Sequence, residues 1–425
     1  ITGSVTGENG FDATPTGNPS LFDFDNSNQS WNSVSNTNIN KVVGGKAYRL
    51  FIRGDRTIEL TNNATPPTAA TIRTTGALLT GVVDAGTMGT TADDYNFFGN
   101  PFQSAVDMKT VLAASTNLKP EIYYIWDPYL NTRGGYVTRD FSATGVDTDK
   151  YLRPGRAGFV QTLTDGAADL KFAESDKATI PVMTRNRGAG QQIPTQDIKV
   201  SLYAQTANGE ILTDMAFAKF YQGGANAVLA DDGQKLKNLD ETLALKNGET
   251  LLSIEKRALP MDGEELPLYL TTYRHPAYEM EIEVADFDLP VVFHDLYLGK
   301  EVQLTPGINR LAFTVDSNVD ASIASDRFLL SFGTASLSVE DLGLGRAVVY
   351  PNPVSGNQFS VYIQPAGDEL HVQMFDLLGR KVMDEFRKAP VNNRLMISRP
   401  DVQTGSYMLK IQDGGKTSSF KVILN

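Results

Sequence analysis

Imidazole chemistry has little to work with in this chain. His275, His294 and His371 lie far apart in sequence, and no HExxH pair, GxSxG elbow or P-loop is present. His294 stands beside Asp295, a base next to an orienting carboxylate, but neighbours on a strand point to opposite faces, so the pair reads as ordinary strand residues. The absence of cysteine removes disulfides, thiolate metal sites, iron–sulfur clusters and a cysteine nucleophile. Gly343-Leu344-Gly345 does not lead into a helix and so does not read as a phosphate loop.

Carboxylates are plentiful: with 50 Asp and Glu, some pair will always stand at the separation a glycosidase uses, and number alone is not evidence. Asp23, Asp25, Ser27 and Asn28 form an oxygen-rich run of the kind that holds Ca²⁺, yet the later glycine and glutamate of an EF-hand loop are missing, and a solvated turn is the better reading. Arg53-Gly54-Asp55 spells an adhesion tripeptide but lies between two apolar alternations, where it reads as a charged hairpin turn. Trp31, Trp126, Tyr123, Tyr124 and Tyr129 could make a sugar-stacking platform, with core packing the stronger expectation. The expectation is therefore no catalytic residue, no metal and no cofactor.

The elements that must position these residues are strands. Tyr278, Met280, Ile282 and Val284 alternate with Glu279, Glu281 and Glu283, which gives one apolar and one charged face. The same period recurs at Tyr48/Leu50/Ile52, Leu311/Phe313/Val315, Phe328/Leu330/Phe332, Phe359/Val361/Ile363 and Tyr407/Leu409/Ile411. Turn clusters such as Asn62-Asn63, Asn247-Gly248 and Asp413-Gly414-Gly415 separate the runs, as in antiparallel sandwiches. One short helix is expected over Ala105–Ala114, with Val106, Lys109, Thr110 and Leu112 sharing a turn. A weak duplication is visible: Gly17-Asn18-Pro19, Phe24-Asp25, Trp31 and Gly45-Lys46-Ala47-Tyr48 are echoed by Gly99-Asn100-Pro101, Trp126-Asp127, Tyr136 and Gly155-Arg156-Ala157-Gly158-Phe159.

At 425 residues and 41% hydrophobic content the chain is globular and large enough for two or three domains. Its net charge of -12 repels phosphate backbones and anionic lipid, so neither nucleic acid nor a membrane surface is an expected partner, and no run approaches the roughly 20 apolar residues of a transmembrane helix. It begins at Ile1 without a charged-then-apolar leader, which reads as a processed or partial chain. Residues 346–425 carry ten basic and seven acidic groups, net +3, which leaves −15 for residues 1–345. The small, polar, glycine-punctuated segment from Gly333 to Gly345 suits an exposed connector between these two modules.

The last eighty residues carry the most specific pattern. Tyr350-Pro351-Asn352-Pro353 is followed by the Phe359–Ile363 run, by Met374-Phe375-Asp376-Leu377-Leu378-Gly379-Arg380, by Gly405-Ser406-Tyr407-Met408-Leu409-Lys410, and by the terminal Phe420-Lys421-Val422-Ile423-Leu424. Asp376 with Gly379-Arg380 is expected to close a hairpin, Gly405 to give a turn that lets Tyr407 enter a strand, and Pro351 and Pro353 to set the direction in which the chain enters its first strand. In order and spacing the set closely resembles the type A C-terminal sorting domain of the type IX (Por) secretion system, which exports proteins across the outer membrane of Bacteroidota.

That resemblance implies a small seven-stranded immunoglobulin-like sandwich that acts as a signal rather than an enzyme. Tyr350, Pro351, Asn352, Pro353, Asp376, Gly379, Arg380, Gly405, Tyr407 and Lys421 would be its signal residues, read by the translocon barrel and an outer-membrane shuttle protein. A sortase would then cleave within 334–345 and join the cargo to lipopolysaccharide or another surface glycan. Upstream, Gly45–Asp55, Gly99–Phe102, Tyr123–Asp127, Leu152–Val160 and Arg327–Phe332 resemble, more loosely, a β-rich module that precedes this signal in large Bacteroidota surface proteins. The expected organisation is a first β-rich unit over 1–95, an acidic antiparallel β-sandwich module over 96–333, the linker, and the sorting domain over 346–425. The expected function is an exported cell-surface protein, adhesin-like or structural, with a carbohydrate-binding accessory region of a secreted hydrolase as the alternative.

Overall fold

The computed structural model describes residues 19–34, 40–52, 68–69, 75–178, 195–333, 348–350, 352–354, 356–362, 369–376, 378–390, 394–413 and 416–424. The chain is nearly all β, as the two-residue periodicity predicts, with a single short α-helix among the described residues. It divides into two compact units, Ile1–Thr195 with Val228–Lys237, and Gln196–Ala227 with Asn238–Asn425.

In the first unit, strands β1 (Leu21–Asp25), β2 (Ser30–Ser33) and β3 (Arg49–Leu50) form a sheet of order β2-β1-β3. A second sheet of order β4-β7-β5-β6 is built from β4 (Tyr95–Gly99), β5 (Ile122–Asp127), β6 (Gly135–Asp140) and β7 (Ala157–Gln161). The duplicated sequence pattern is repeated in three dimensions. Each middle strand, β1 and β5, has its hairpin partner on one side and a later strand on the other. Phe22 lies opposite Arg49 and Tyr124 opposite Phe159, which are matching positions of the two copies. Asp25 and Asp127 end these strands alike, each accepting the backbone N–H two residues on, from Ser27 and Tyr129, at 2.9 Å. Gly45 and Gly155 both take positive φ, 79° and 68°, which lets the turn into the third strand form without a Cβ penalty. Gly17 and Asn18 of the first copy lie outside the described residues.

The helix α1 spans Met108–Ala113, shorter than expected, with Asp107 as its N-cap accepting the Lys109 N–H at 3.0 Å. Val106 does not join it. It pairs with Leu152 as a strand residue, in keeping with its β-branched side chain, and the buried helix face is Met108, Val111 and Leu112 rather than one shared with Lys109 and Thr110.

The second unit contains a large, near-barrel sheet. Within it the long hairpin of β8 (Gln196–Thr206) and β9 (Gly209–Phe220) is flanked by β10 (Thr250–Arg257) and β11 (Ala277–Val284). Pairing is antiparallel except between β9 and β10, which run parallel. β11 has the face pattern its alternation predicts: Tyr278, Met280 and Ile282 are fully buried, while Glu279 and Glu281 meet Arg310 at 2.9 and 2.8 Å. Further along lie β12 (Val291–Asp295), β13 (Gly307–Thr314) and β14 (Phe328–Phe332).

Among its described residues the C-terminal domain has seven strands in two sheets. They are β15 (Val348–Tyr350), β16 (Gln358–Tyr362), β17 (Glu369–Asp376), β18 (Lys381–Lys388), β19 (Arg394–Ser398), β20 (Gly405–Asp413) and β21 (Lys416–Leu424). The orders β15-β16-β19 and β18-β17-β20-β21 are those of an immunoglobulin-like sandwich whose fourth strand has joined the larger sheet. Alternate residues of each strand, among them Phe359, Val372, Met374, Leu409, Ile411 and Val422, fill the space between the sheets. The connector 334–345 lies outside the described residues.

Candidate functional site

The resemblance to a sorting signal spreads its residues over some seventy positions, and the sandwich collects them. β17, β20 and β21 run side by side, and Asp376 lies opposite Tyr407, which lies opposite Val422. Gly405 faces Leu424 two steps further on, and Lys421 faces Met408 one step back. One end of the four-stranded sheet thus holds Asp376, Gly405, Tyr407 and Lys421, together with the β17–β18 turn that carries Gly379 and Arg380.

Asp376 organises that turn. Its carboxylate accepts the N–H groups of Leu378 and Arg380 at 2.9 Å and the Arg380 Nε at 2.7 Å, while its carbonyl accepts the Gly379 N–H at 3.0 Å. The bonds from Arg380 hold the carboxyl below the usual aspartate range. Gly379 has φ 78°, a conformation the expected hairpin turn demands and glycine adopts at no steric cost. Leu378 at the tip is 82% exposed.

Tyr407 is 8% exposed and packs into the core, and its hydroxyl donates to the Gln403 carbonyl at 2.7 Å. A tyrosine near the start of the sixth strand bonded to the backbone a few residues upstream is the tyrosine corner of immunoglobulin-like sandwiches. Gly405 begins this strand, as its expected place before Tyr407 requires.

Asn352 ties the beginning of the domain to its end. Its Nδ2 donates to the Lys421 carbonyl and its Oδ1 accepts the Ile423 N–H, both at 2.8 Å. The Val354 N–H donates to the Ile423 carbonyl at 2.7 Å, and Val354 forms a parallel bridge with Leu424. The side chain of Asn352 and the backbone of Val354 together continue the sheet past β21. The Asn352–Pro353 peptide is cis. The proline pair does not lead into the first strand as expected. Val348–Tyr350 already forms β15, paired with β16 from Val348↔Tyr362 to Tyr350↔Ser360, so the segment instead joins the first two strands. Valines and tyrosine favour the extended pairing, and a proline, lacking an N–H, ends it. Pro351 lies outside the described residues; Pro353 is exposed.

Of the outward-facing residues of this end, the sequence pattern singles out Lys421 but not Phe375, Met408 or Lys410 as a surface. Phe375, Met408 and Lys421 form one cross-strand row on the outer face, and Lys410 stands beside Met408 two residues along. Met408 is 44% exposed. The signal was available as the positions between the Tyr407/Leu409/Ile411 alternation, Met408 and Lys410.

The other candidates resolve into structure. Asp25 spends its carboxylate on Ser27 and Asn28, and Asp23 pairs with Lys46. Among the described residues no cluster of three or more His, Asp or Glu could hold a metal ion. Asp295 turns away from His294 to a buried, two-pronged pair with Arg327, while His294 Nε2 meets Ser331 Oγ at 2.7 Å. Of the five aromatics, Tyr123 and Tyr124 are buried and bonded to the Asp149 carbonyl and the Gln161 side chain at 2.8 Å. Trp31 packs edge-on against Phe24 and Phe97 at 5.1 Å, and the Arg49 guanidinium lies 5.3 Å from both Trp31 and Trp126. Tyr129 stands 91% exposed. Trp31, Trp126 and Tyr124 pack the two copies of the duplicated unit together, Tyr123 sits in the core of the second, and Tyr129 stands apart, so the five form no single open platform. Arg53-Gly54-Asp55 lies outside the described residues.

Comparison with known families places residues 348–425 in the family described as the secretion system C-terminal sorting domain. No curated protein matches the chain. Among solved structures the chain is similar to dimeric latent PorU from Porphyromonas gingivalis at 12% identity, over 54% of this chain and 30% of that one, with a TM-score of 0.17, a likeness that carries no argument.

Proposed function

We propose that this chain, whose residues 348–425 are a type IX C-terminal sorting domain and which is therefore a secreted cargo protein, is a non-enzymatic protein of the cell surface, adhesin-like or structural in role. The observation that supports the reading is the gathering of Asn352, Asp376, Gly379, Arg380, Gly405, Tyr407 and Lys421 at one end of the terminal sandwich. A translocon barrel and its outer-membrane shuttle protein would engage that end as a folded surface. A sortase would then cut in the connector 334–345, and the acidic body would be joined to lipopolysaccharide.

Packed sheets suit such a role because they bury their backbone hydrogen bonds and present mainly charged side chains outward. The alternative, a carbohydrate-binding accessory region of a hydrolase, has less support, because Trp31, Trp126, Tyr123 and Tyr124 are occupied in internal packing.

Deletion of residues 348–425 from the full chain in a type IX-competent host tests the reading. Loss of the chain from the cell exterior with accumulation in the periplasm is expected, and undiminished export would overturn it. Mass spectrometry of surface-exposed cargo is expected to find a new C-terminus between residues 333 and 346, and an intact Asn425 would reject the processing step.

A further inference from the structure

The four-stranded sheet of the C-terminal domain presents two edges and an outer face to a partner. Its β18 edge carries Lys381, Asp384, Glu385, Arg387 and Lys388, a density of charge that blocks strand addition. Its β21 edge is engaged by Asn352 and Val354 at the Ile423 end. The rest of that edge, from Lys416 to Phe420, has no further paired strand among the described residues, and the outer face lies beside it.

There, Phe375 and Met408 lie side by side with Lys381 and Lys421 at the two ends of their row. The next row holds Asp384, Gln373, Lys410 and Ser419. Lys381 is paired with Asp384, but Lys410 and Lys421 have no carboxylate partner among the described residues. The face is thus a short apolar strip, Met408 exposed and Phe375 half-buried, with unneutralised cations on the β20–β21 side.

Resting on the sorting function proposed above, we infer that the Phe375–Met408 strip with Lys410 and Lys421 docks an acidic segment of a protein of the export machinery, which sets an apolar side chain on Met408 and carboxylates against the two lysines. An apolar centre with charged residues at its rim is the anatomy of a protein interface. Two free lysines are too few for an anionic lipid surface, which takes clusters of roughly four to eight. The charges of such a rim set the rate of encounter and its sensitivity to salt.

The test uses the full chain in its host. The double variant Lys410→Glu/Lys421→Glu is expected to lower export by about tenfold or more, as is Met408→Asp, while Lys410→Arg/Lys421→Arg keeps it. Hydrogen exchange of β20 and β21 must be unchanged in each variant for the result to count as recognition; a variant that unfolds is replaced by Lys421→Gln. If deletion of 348–425 abolishes export but the folded charge-reversed variant exports normally, the docking inference is overturned and the sorting function stands. A photo-crosslinking residue at the exposed Ser419 should yield a salt-sensitive protein adduct that maps to an Asp- or Glu-rich segment. Adducts to lipid or lipopolysaccharide alone, adducts to a basic or neutral segment, or none, would each reject the acidic protein partner.

Discussion

Asn352 and Ile423, 71 residues apart, are paired as if both were strand residues: the Asn352 side chain accepts the Ile423 N–H and donates to the carbonyl of Lys421. An amide side chain presents an acceptor and a donor side by side in one plane, as a peptide unit does. Asn352→Ala is expected to cost the domain about 1–2 kcal/mol, and Asn352→Asp more, because its carboxylate would face the Lys421 carbonyl. Amide hydrogen exchange at Ile423 checks this, with faster exchange expected in both variants. Tryptophan fluorescence is a poor reporter, since Trp31 and Trp126 belong to the other unit.

Tyr407 contributes a bond and a buried ring that can be separated. Tyr407→Phe keeps the ring but strands the Gln403 carbonyl, at an expected cost of about 1–2 kcal/mol. Tyr407→Ala empties a core position and is expected to cost about 3–5 kcal/mol. Urea titrations of the full chain followed by exchange at Leu409 and Ile411 should rank the variants in that order. Equal losses would show that the hydroxyl bond carries the tyrosine's role.

Part of this architecture was legible because it is written with a local period. The alternation at Tyr278, Met280 and Ile282 requires a two-faced strand, and Asp376 followed by Gly379 requires a turn. The duplicated unit was readable from Asp25 and Asp127 because each aspartate ends its strand through a bond to the residue two places on. What escaped is non-local. Nothing around Asp295 names Arg327 as its partner, 32 residues away across the sheet. Asn352 reads as a turn residue between prolines until β21 is placed beside it. The Phe375–Met408 strip was invisible because the apolar positions that define the core draw attention away from apolar residues between them.

Two carboxylates of the C-terminal sheet should shape its acid behaviour. Lys381 first, and His371 at 2.5 Å, pull the Asp384 carboxyl from its ordinary 3.8 down to about 2. A folded-state value below the unfolded one means that the pairing stabilises the fold above about pH 4 and that this contribution disappears as the pH falls through about 2. Asp376 is shifted the same way by Arg380. A carboxyl ¹³C titration should place Asp384 near its low value in the native chain. Lys381→Ala should raise it more than His371→Ala, and a larger effect of the histidine would contradict the order of causes.

The buried pair in the second unit should be costly to break and cheap to replace. Arg327 is completely buried, its Nε and Nη2 meet the Asp295 carboxylate at 3.0 and 2.7 Å, and its Nη1 donates to the carbonyls of Thr314 and Ser322 at 3.0 Å. Tyr297, Phe313 and Phe328 stand within 5.2 Å of the guanidinium. Removing Arg327 leaves a carboxylate with only the Tyr297 and Leu298 N–H groups for company. Arg327→Met is therefore expected to cost about 3–5 kcal/mol, whereas the double variant Asp295→Leu/Arg327→Met, which desolvates no charge, should recover much of that loss. Arg327→Lys keeps the charge but not the fork, and should fall between the native chain and Arg327→Met. Urea midpoints read from exchange in β12 and β14 decide the order, and a double variant weaker than Arg327→Met alone would show that the pair contributes more than it costs to bury.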